Sequence, residues 1–401
     1  MNYDVVVIGG GPAGCRTAGL IAQKGYKVMV AEEHPKIGEP MQCAGLVSPR
    51  TLKTAAVAED IVINKIHGAF VHSPAGETLA IRGQQPYAYV IDRSEFDRRL
   101  SGEAGAAGVD IFTGVRASVE EFLPGGAAVK LAGRGGESRV FTRLLVGADG
   151  PRSQVARGMG VPPAEDVIRM YAAEVELRRQ ETDMAHIFLG REVAPGWFGW
   201  IIPVDRKRAR VGIGVTGSHW HPRDCFKKMT DIFPGWFKGM RIICGTGGIV
   251  PIGTLTRIYG ERTLLVGDAA CQTKPLSGGG LYLGLLGAGL CAKVAVRALS
   301  SGNLSASFLS EYQSLWDREM ADEIKIALEH RKIFLSMTDH EMDKLIKFFN
   351  HPLWRYIISK HGDIDYPSWL AGRLSFARPW ADKFMINGLR KLLNCYSAVR
   401  A

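Results

Sequence analysis

The apolar and polar positions along the chain predict β-α-β segments that are interrupted by β-rich insertions. Residues 4–32 contain a continuous apolar strand, a glycine-rich turn, a helix and a second strand. Residues 66–91 instead alternate apolar and polar positions around a Pro-Ala-Gly turn, which indicates a β-hairpin and one further strand. Strand-like runs recur between 168 and 216, whereas the chain from about 304 onward has the periodicity of amphipathic helices.

This order of elements predicts an α/β protein with a Rossmann-like nucleotide-binding domain, an inserted antiparallel β-sheet domain and a C-terminal helical region. The nucleotide-binding domain is expected to be discontinuous, because the β-rich insertions separate its β-α-β segments. The expected bounds are 1–65, 92–165 and 251–300 for the Rossmann-like domain, 66–91 and 166–250 for the β-rich substrate domain, and 301–401 for the helical region.

Composition narrows the classes of protein that fit this pattern. The 401 residues are 46% hydrophobic and include 48 glycines, which excludes a disordered or collagen-like chain and suits turns and close backbone approach. The seven cysteines are scattered without metal-ligand spacing, so we expect reduced thiols, no metal and a cytoplasmic location. The longest apolar stretch, 278–292, is shorter than the roughly 20 residues that span a bilayer. The net charge of +10 suits an anionic partner or a membrane surface, and we expect no nucleic acid partner.

The first candidate site is the glycine-rich turn after the first strand. Gly9-Gly10-Gly11-Pro12-Ala13-Gly14 matches G-x-G-x-x-G, in which the glycines permit a tight turn and let the backbone approach a pyrophosphate. The helix that follows offers unpaired N–H groups at its N-terminus. Glu32 ends the second strand, where an acid can accept hydrogen bonds from an adenosine ribose. The whole unit predicts a dinucleotide site.

Two later strands end in turns that contain an acid and glycine. Asp149-Gly150 follows the apolar run 144–146, and Asp268 follows the run 264–266. Asp268 is placed to bind hydroxyls of a ribityl chain, and the segment Pro275–Gly280 can present backbone N–H groups to a flavin ring ahead of a helix. The alternatives are an ordinary turn at 149–150 and a glycine-rich turn before a buried helix at 275–280.

Together the three motifs favour FAD over NAD, because a nicotinamide dehydrogenase needs only the first. With the segment Arg93–Leu100 they resemble the p-hydroxybenzoate hydroxylase-like FAD oxidoreductases over residues 1 to about 300. The resemblance implies that the Rossmann-like domain binds FAD. The residues expected at this site from the motifs and the resemblance are Gly9, Gly11, Ala13, Gly14, Glu32, Arg93, Ala117, Asp149, Gly150, Asp268, Pro275, Gly278, Gly279, Gly280 and Leu281.

The segment Ile37–Ser48 resembles the Pro-x-x-Cys segment of the geranylgeranyl reductase family, which includes archaeal digeranylgeranylglycerophospholipid reductases. In that family the cysteine lies beside the flavin, so the resemblance adds Cys43 and Ala44 to the cofactor site and makes Cys43 a candidate catalytic residue. A thiol there can shape the pocket, tune the ring or supply a proton. The alternative is a small buried apolar side chain. Cys43-Ala44-Gly45 departs from the family's usual Cys-Gly-Glu, which leaves the family's acid without a counterpart here.

An aromatic strip at Pro195–Pro203 supplies the candidate substrate site. It resembles the reductases' Tyr-x-Trp-x-Phe-Pro and equally the flavin-dependent halogenases' Trp-x-Trp-x-Ile-Pro. A strip of this kind can line a channel for a polyprenyl chain, and the alternative is aromatic packing in a β-sheet core. The residues predicted to bind substrate are Phe198, Trp200, Ile202 and Pro203. The basic run Arg206–Arg210 is predicted to be a solvated hairpin turn.

The resemblance implies an FAD-dependent reductase that saturates double bonds of geranylgeranyl chains of archaeal-type membrane lipid precursors by hydride transfer from reduced flavin. No second G-x-G-x-x-G indicates a dedicated nicotinamide domain, so we expect ferredoxin or NAD(P)H as the electron donor. Two alternatives remain open. One is an FAD-dependent aromatic monooxygenase or halogenase, and the other is a membrane-docking electron-transfer flavoprotein that reduces quinone.

The C-terminal region suits peripheral contact with anionic lipid at the inner face of the cell membrane. Basic helices with interleaved aromatic residues favour such contact, and a solvated basic face is the alternative. The six cations between 371 and 401 are Arg373, Arg378, Lys383, Arg390, Lys391 and Arg400.

Overall fold

The structure, a computed structural model, describes residues 2–41 and 43–374. The strands are β1 (Asn2–Ile8), β2 (Val28–Glu32), β3 (Leu46–Val47), β4 (Val62–Ile66), β5 (Gly68–His72), β6 (Thr78–Arg82), β7 (Ala88–Ile91), β8 (Asp110–Thr113), β9 (Val115–Leu123), β10 (Gly126–Gly133), β11 (Gly136–Gly147), β12 (Asp166–Glu176), β13 (Met184–Phe188), β14 (Gly199–Pro203), β15 (Arg208–Val215), β16 (Arg241–Ile252), β17 (Tyr259–Gly260) and β18 (Thr263–Leu265). The α-helices are α1 (Pro12–Ala22), α2 (Pro49–Ala55), α3 (Arg93–Ala106), α4 (Gln154–Gly158), α5 (Pro222–Ile232), α6 (Pro234–Phe237), α7 (Leu281–Ser301), α8 (Ala306–Ser336), α9 (Asp339–Phe349), α10 (Pro352–His361) and α11 (Pro367–Leu374). Short 3₁₀ turns lie at Glu59–Ile61 and Gly267–Ala270.

An eight-stranded sheet forms the centre of the Rossmann-like part. Its order is β17-β18-β11-β1-β2-β8, and β10 and β9 extend it from β11. β1 pairs in parallel with β2 and β11, and β11 pairs in parallel with β18. Val5, Val6 and Val7 are completely buried, as expected of a central parallel strand that is covered on both faces. The predicted α/β class is thus confirmed, and the ends of three motif-bearing strands lie at one edge of the sheet.

Two further sheets complete the β structure. A seven-stranded sheet has the order β16-β12-β15-β14-β13-β5-β6 and is antiparallel except where β13 pairs with β5. A small sheet has the order β3-β7-β4, and its strands flank the β5-β6 hairpin in sequence. The sheets do not divide the chain at the expected bounds. β7 pairs with β4 rather than with a strand of the seven-stranded sheet, and Asp92 caps α3 directly after β7. Strands β4 and β16 run across the expected boundaries at 65/66 and 250/251.

Helices α7 and α8 connect the Rossmann-like part to the C-terminal helices. α7 is long and apolar enough to cross a membrane, with a mean hydropathy of 1.5 over an 18-residue window, but 61% of that window is buried in the protein. It packs on α1 and α8, as a core helix does. The helices α8–α11 agree with the predicted C-terminal helical region as far as Leu374. The side chain of Arg373 and the other five cations of the basic region lie outside the described residues.

Cys15, Cys43, Cys225, Cys244, Cys271 and Cys291 are all free thiols. Cys395 lies outside the described residues. Among the described residues, no group of three or more His, Cys, Asp or Glu side chains is arranged to hold a metal ion.

Candidate cofactor and substrate site

The glycine-rich turn between β1 and α1 is shaped by close backbone contacts. Gly9 has φ +107°, and a Cβ on it would lie 2.2 Å from the carbonyl oxygen of Ala148. A Cβ on Gly14 would lie 2.1 Å from the carbonyl oxygen of Gly9, so neither position accepts a side chain. Gly11 differs, because a Cβ there would meet no atom within 4 Å. The open side of the turn therefore lies at Gly11, where the N-terminus of α1 begins.

Glu32 is fixed at the end of β2, as the motif predicts. Its carboxylate accepts hydrogen bonds from the backbone N–H of Gly10 at 2.8 Å and from that of His34 at 2.9 Å. The His34 ring lies 2.6 Å from the same carboxylate through Nδ1. These bonds orient the acid beside the glycine turn. Ala117 is buried on β9, a strand that also contacts β2.

The second motif, at Asp149, closes a turn. The Asp149 carboxylate accepts hydrogen bonds from Ser153 Oγ at 2.6 Å and from the backbone N–H of Gln154 at 2.6 Å. The carboxylate thereby caps α4, and the backbone of Gly150, at φ +75°, faces open space. The turn is packed on the first motif, because Ala148 contacts both Gly9 and Gly14.

The third motif places Asp268 opposite the 274–280 loop. Asp268 lies in the 3₁₀ turn after β18, and a Cβ on Gly280 would lie 3.0 Å from its Oδ1. Burial raises the pKa of Asp268 to about 6, although Arg93 opposes that shift. The loop is tight, since the N–H of Gly278 donates to the carbonyl of Lys274 at 2.9 Å. Leu281 begins α7 directly after it.

Arg93 joins the third motif to the Cys43 segment. It is the first residue of α3, and its guanidinium pairs with Asp97 one turn later. Burial lowers the pKa of Arg93, while Cys43 and Asp268 act against that shift. Its buried Nε has no partner among the described residues. The Arg93 side chain is thus mostly buried, and it lies close to both the Cys43 thiol and the Asp268 carboxyl group.

Cys43 lies in a loop that is held in place by Arg210. The N–H of Gly45 donates to Cys43 Sγ at 3.4 Å. Arg210 Nη1 donates to the carbonyl oxygens of Ala44 at 2.8 Å and Ile91 at 3.1 Å. Arg210 was expected in a solvated turn, but it is only 6% exposed, and burial lowers its pKa. The turn itself, Arg206–Arg208, is exposed as predicted.

The prediction that Arg210 is solvated was wrong because of the strand on which the residue lies. Arg210 is on β15, where alternation directs it to the same side as Gly212 and Gly214. Those two glycines make room for large rings, since their Cβ atoms would lie 2.2 Å from Trp200 and 2.3 Å from Trp197. The Gly-x-Gly spacing after Arg210 was the available signal that this side of the strand is packed.

The alternate residues Phe198, Trp200 and Ile202 of the aromatic strip lie on one side of the seven-stranded sheet. Trp200 and Ile202 are buried in an apolar cluster with Val90, and Ala44 packs against its edge. Phe198 is half-buried against the same cluster, and Pro203 is buried at the end of β14. The strip thus faces the small sheet and the Cys43 loop. We refer to this side as the apolar sheet face, with the members Ala69, Met170, Ala172, Ile187, Phe198, Trp200 and Ile202.

Trp197 links the apolar sheet face to the 274–280 loop. A Cβ on Gly278 would lie 3.3 Å from both the Trp197 ring and the Met170 side chain. The Trp197 ring stacks on Phe198 with centroids 5.0 Å apart and an interplanar angle of 17°. The Arg331 guanidinium of α8 also lies over the Trp197 ring, 4.9 Å from the ring centroid. Arg331 was not predicted, because nothing in its local sequence reveals a partner 135 residues away at Gly196.

These features suit FAD. Gly11 leaves open space at a helix N-terminus, where a pyrophosphate binds. The half-buried Asp268 and the unpartnered Nε of Arg93 flank the turn that leads into the 274–280 loop. A ribityl hydroxyl and an electron-rich ring edge are the groups that would satisfy such donors and acceptors. The parallel strands β1, β11 and β18 bring the three motifs to one sheet edge, where the Asp149 carboxylate is bonded to the N-terminus of α4.

Comparisons with known proteins identify the family of the chain and its cofactor. The profile described as the FAD binding domain matches residues 2–225 of the chain, which identifies FAD as the cofactor. Digeranylgeranylglycerophospholipid reductase 2 of Methanopyrus kandleri is 33% identical over 360 residues, or 86% of this chain and 90% of the relative. Digeranylgeranylglycerophospholipid reductase 1 of Methanococcoides burtonii is 32% identical over 359 residues, with 86% of each chain covered.

Solved structures share the fold. A geranylgeranyl bacteriochlorophyll reductase-like protein from Thermoplasma acidophilum superposes with a TM-score of 0.84 and 22% identity, covering 96% of this chain and 99% of the other. A variant of the flavin-dependent brominase Bmp2 reaches a TM-score of 0.70 at 16% identity, covering 94% and 100%. At these identities the likeness concerns the fold alone.

Proposed function

This chain belongs to the family of FAD-binding proteins that includes the digeranylgeranylglycerophospholipid reductases, and we propose that it saturates the double bonds of geranylgeranyl chains in a membrane lipid precursor. It is an FAD-dependent oxidoreductase that acts on carbon–carbon double bonds. The choice of a geranylgeranyl lipid rests on the names of relatives about 30% identical over most of the chain. The reductase is favoured over a halogenase, since the similar brominase shares only the fold.

One observation carries the proposal: the loop expected to contact the flavin touches the apolar sheet face. Gly278 packs on Trp197 and Met170, and Trp197 stacks on Phe198. A chain of isoprene units has no polar group to recognise, so it needs an apolar wall beside the reacting ring. Phe198, Trp200 and Ile202 supply that wall in our proposal, and Pro203 ends it.

The chain's own residues would position the alkene and exclude water. Reduced FAD supplies the hydride when it is bound. An unactivated alkene is a poor hydride acceptor, so much of the rate must come from orientation in a dry site. We assign the proton to Cys43 Sγ or to an ordered water, because Cys43 lies beside Arg93 at the cofactor side of the site. Arg210 holds the loop that presents this thiol through the carbonyl of Ala44.

The electron donor and the membrane contact belong to the same proposal. Ferredoxin or NAD(P)H would reduce the flavin. The protein would act in the cytoplasm at the inner surface of the cell membrane, where its substrate resides. The basic residues that suit this contact are those of the C-terminal region, which we named from the sequence.

The proposal is tested by anaerobic incubation of the dithionite-reduced holoprotein with a digeranylgeranyl glycerophospholipid, followed by mass spectrometry. We expect a gain of two mass units for each double bond reduced. The Cys43→Ser variant should react at least 10-fold more slowly if the thiol supplies the proton, and a Cys244→Ser variant, at an exposed thiol of β16, should react normally. No mass gain across several geranylgeranyl lipids would overturn the assignment. Oxygen-dependent turnover with a flavin hydroperoxide spectrum would favour a monooxygenase.

A further inference from the structure

A cavity of about 210 Å³ lies between the 274–280 loop, helices α7 and α8 and the segment 363–367, which we call the C-terminal strap. Its wall is mainly apolar. Pro275 and Leu276 come from the loop, and Ile364 and Pro367 come from the strap. The helices contribute Leu283, Met320, Ile324 and Ala327.

The charged side chains that line this cavity all have partners. Lys274 Nζ donates to Asp365 Oδ1 at 2.9 Å and to the carbonyl oxygen of Ile364 at 3.0 Å. Arg50 pairs with Asp363 at 3.0 Å and with Asp365 at 2.8 Å. Glu323 is bonded to the backbone and side chain of Ser368. Two cations thus neutralise two carboxylates of the strap, and the ligand that suits the remaining wall is uncharged and apolar.

The cavity adjoins the site described above through two elements. The 274–280 loop forms one wall of the cavity with Lys274–Ser277, and the next residue, Gly278, touches Trp197. Helix α8 lines the cavity with Ala327, and its next residue, Leu328, packs on the cluster that contains Trp197. Arg331 follows one turn later over the same tryptophan. The cavity and the apolar sheet face are therefore neighbours on either side of one short loop.

Resting on the proposed function, we propose that this cavity holds the distal end of the prenyl chain while the apolar sheet face holds the part being reduced. An apolar cavity of about 150 Å³ accepts a benzene molecule, so 210 Å³ suits roughly one to two isoprene units. The second cavity along α8 does not suit this occupant. It is larger, about 480 Å³, but charged groups, among them Glu165, Asp317 and Lys325, line it.

A larger side chain that fills the cavity should remove the protein's preference for binding long prenyl chains over short ones. We choose Ala327→Phe, with Ala321→Phe as the matched control, because Ala321 is on the same helix but lines the charged cavity. Ile364→Trp is the second variant, since Ile364 is 37% exposed and a larger side chain there is compatible with folding. Binding of geraniol, farnesol and geranylgeraniol to the oxidised holoprotein is measured by isothermal titration calorimetry, below the critical micelle concentration.

We expect wild type and Ala321→Phe to bind the four-unit alcohol at least 10-fold more tightly than the two-unit alcohol. In Ala327→Phe and Ile364→Trp that ratio should fall below about 3, with affinity for the two-unit alcohol changed less than 2-fold. An unchanged ratio in both variants, or an equal loss for all three alcohols, would overturn the cavity assignment. These results distinguish a failure of the cavity proposal from a failure of the reductase proposal. Lipid reduction with an unchanged ratio would refute only the cavity, whereas chain-length preference lost in the variants without any lipid reduction would refute only the reductase.

Discussion

Replacing Arg331 with methionine should destabilise the protein and loosen the aromatic strip. The side chain is 4% exposed, and its guanidinium makes three contacts with two other parts of the chain. Nη2 donates to Asp166 Oδ2 at 2.6 Å, Nη1 donates to the carbonyl oxygen of Gly196 at 3.2 Å, and the group covers the Trp197 ring. Methionine fills similar space but makes none of the polar contacts.

The size of the effect follows from these contacts. A hydrogen bond to a charged group is worth about 1.5–3 kcal/mol and a desolvated cation–π contact about 2 kcal/mol. Relief from burying a charge offsets part of this loss. The Asp166 side chain is 36% exposed, so water can solvate it once its partner is gone. We therefore expect Arg331→Met to lower the free energy of unfolding by about 2–4 kcal/mol.

Urea unfolding of the apoprotein at pH 7, followed by tryptophan fluorescence and circular dichroism, measures this loss. The matched control is Arg318→Met, an exposed position of the same helix, which should change the free energy of unfolding by less than about 0.5 kcal/mol. Arg331→Lys keeps the charge but loses the planar fork, so it should recover only part of the loss. Equal effects of Arg331→Met and Arg318→Met would refute the reasoning, because the buried contacts would then contribute nothing.

Three further predictions concern the cofactor side of the site. Gly14→Ala should lower the free energy of unfolding of the apoprotein, measured in urea, by about 2 kcal/mol or more, because the new Cβ would collide with the Gly9 carbonyl. Gly11→Ala should leave that free energy unchanged but weaken FAD binding at least 10-fold in fluorescence titrations. Asp268 has a pKa of about 6 in the native state against 3.8 in the unfolded state, so its carboxyl group keeps its proton to higher pH when the protein is folded. As the pH rises from 4 to 7, the free energy of unfolding of the wild-type apoprotein should therefore fall by up to about 3 kcal/mol relative to that of Asp268→Asn. Parallel curves of unfolding free energy against pH for the two proteins would contradict this. Arg210→Met should free the Cys43 loop and, in a Cys244→Ser background, raise the rate of Cys43 alkylation severalfold, whereas an unchanged rate would show that Arg210 does not hold the loop.

The sequence predicted the parts of the fold that depend on neighbouring residues. A strand, a glycine turn and a helix leave a local record, because burial on both faces requires an apolar run and a close approach requires glycine. The motifs at Gly9, Asp149 and Asp268 were therefore found with their strands, and the parallel sheet brought them to one edge. The small β3-β7-β4 sheet was not separated from the hairpin beside it, because strand alternation is the same whichever sheet a strand joins.

What the sequence determined by itself was thus the α/β class, the FAD motifs and the chemical type of the aromatic strip. Only the tertiary structure decided which cations are buried: Arg210 meets the carbonyl of Ala44, and Arg331 covers Trp197. It also brought Asp365 to Lys274 across 91 residues of chain, at the wall of the apolar cavity beside the 274–280 loop. The physical reason is that a basic side chain looks the same in sequence whether water or protein surrounds it. Its partner is chosen by the packing of elements that are far apart along the chain.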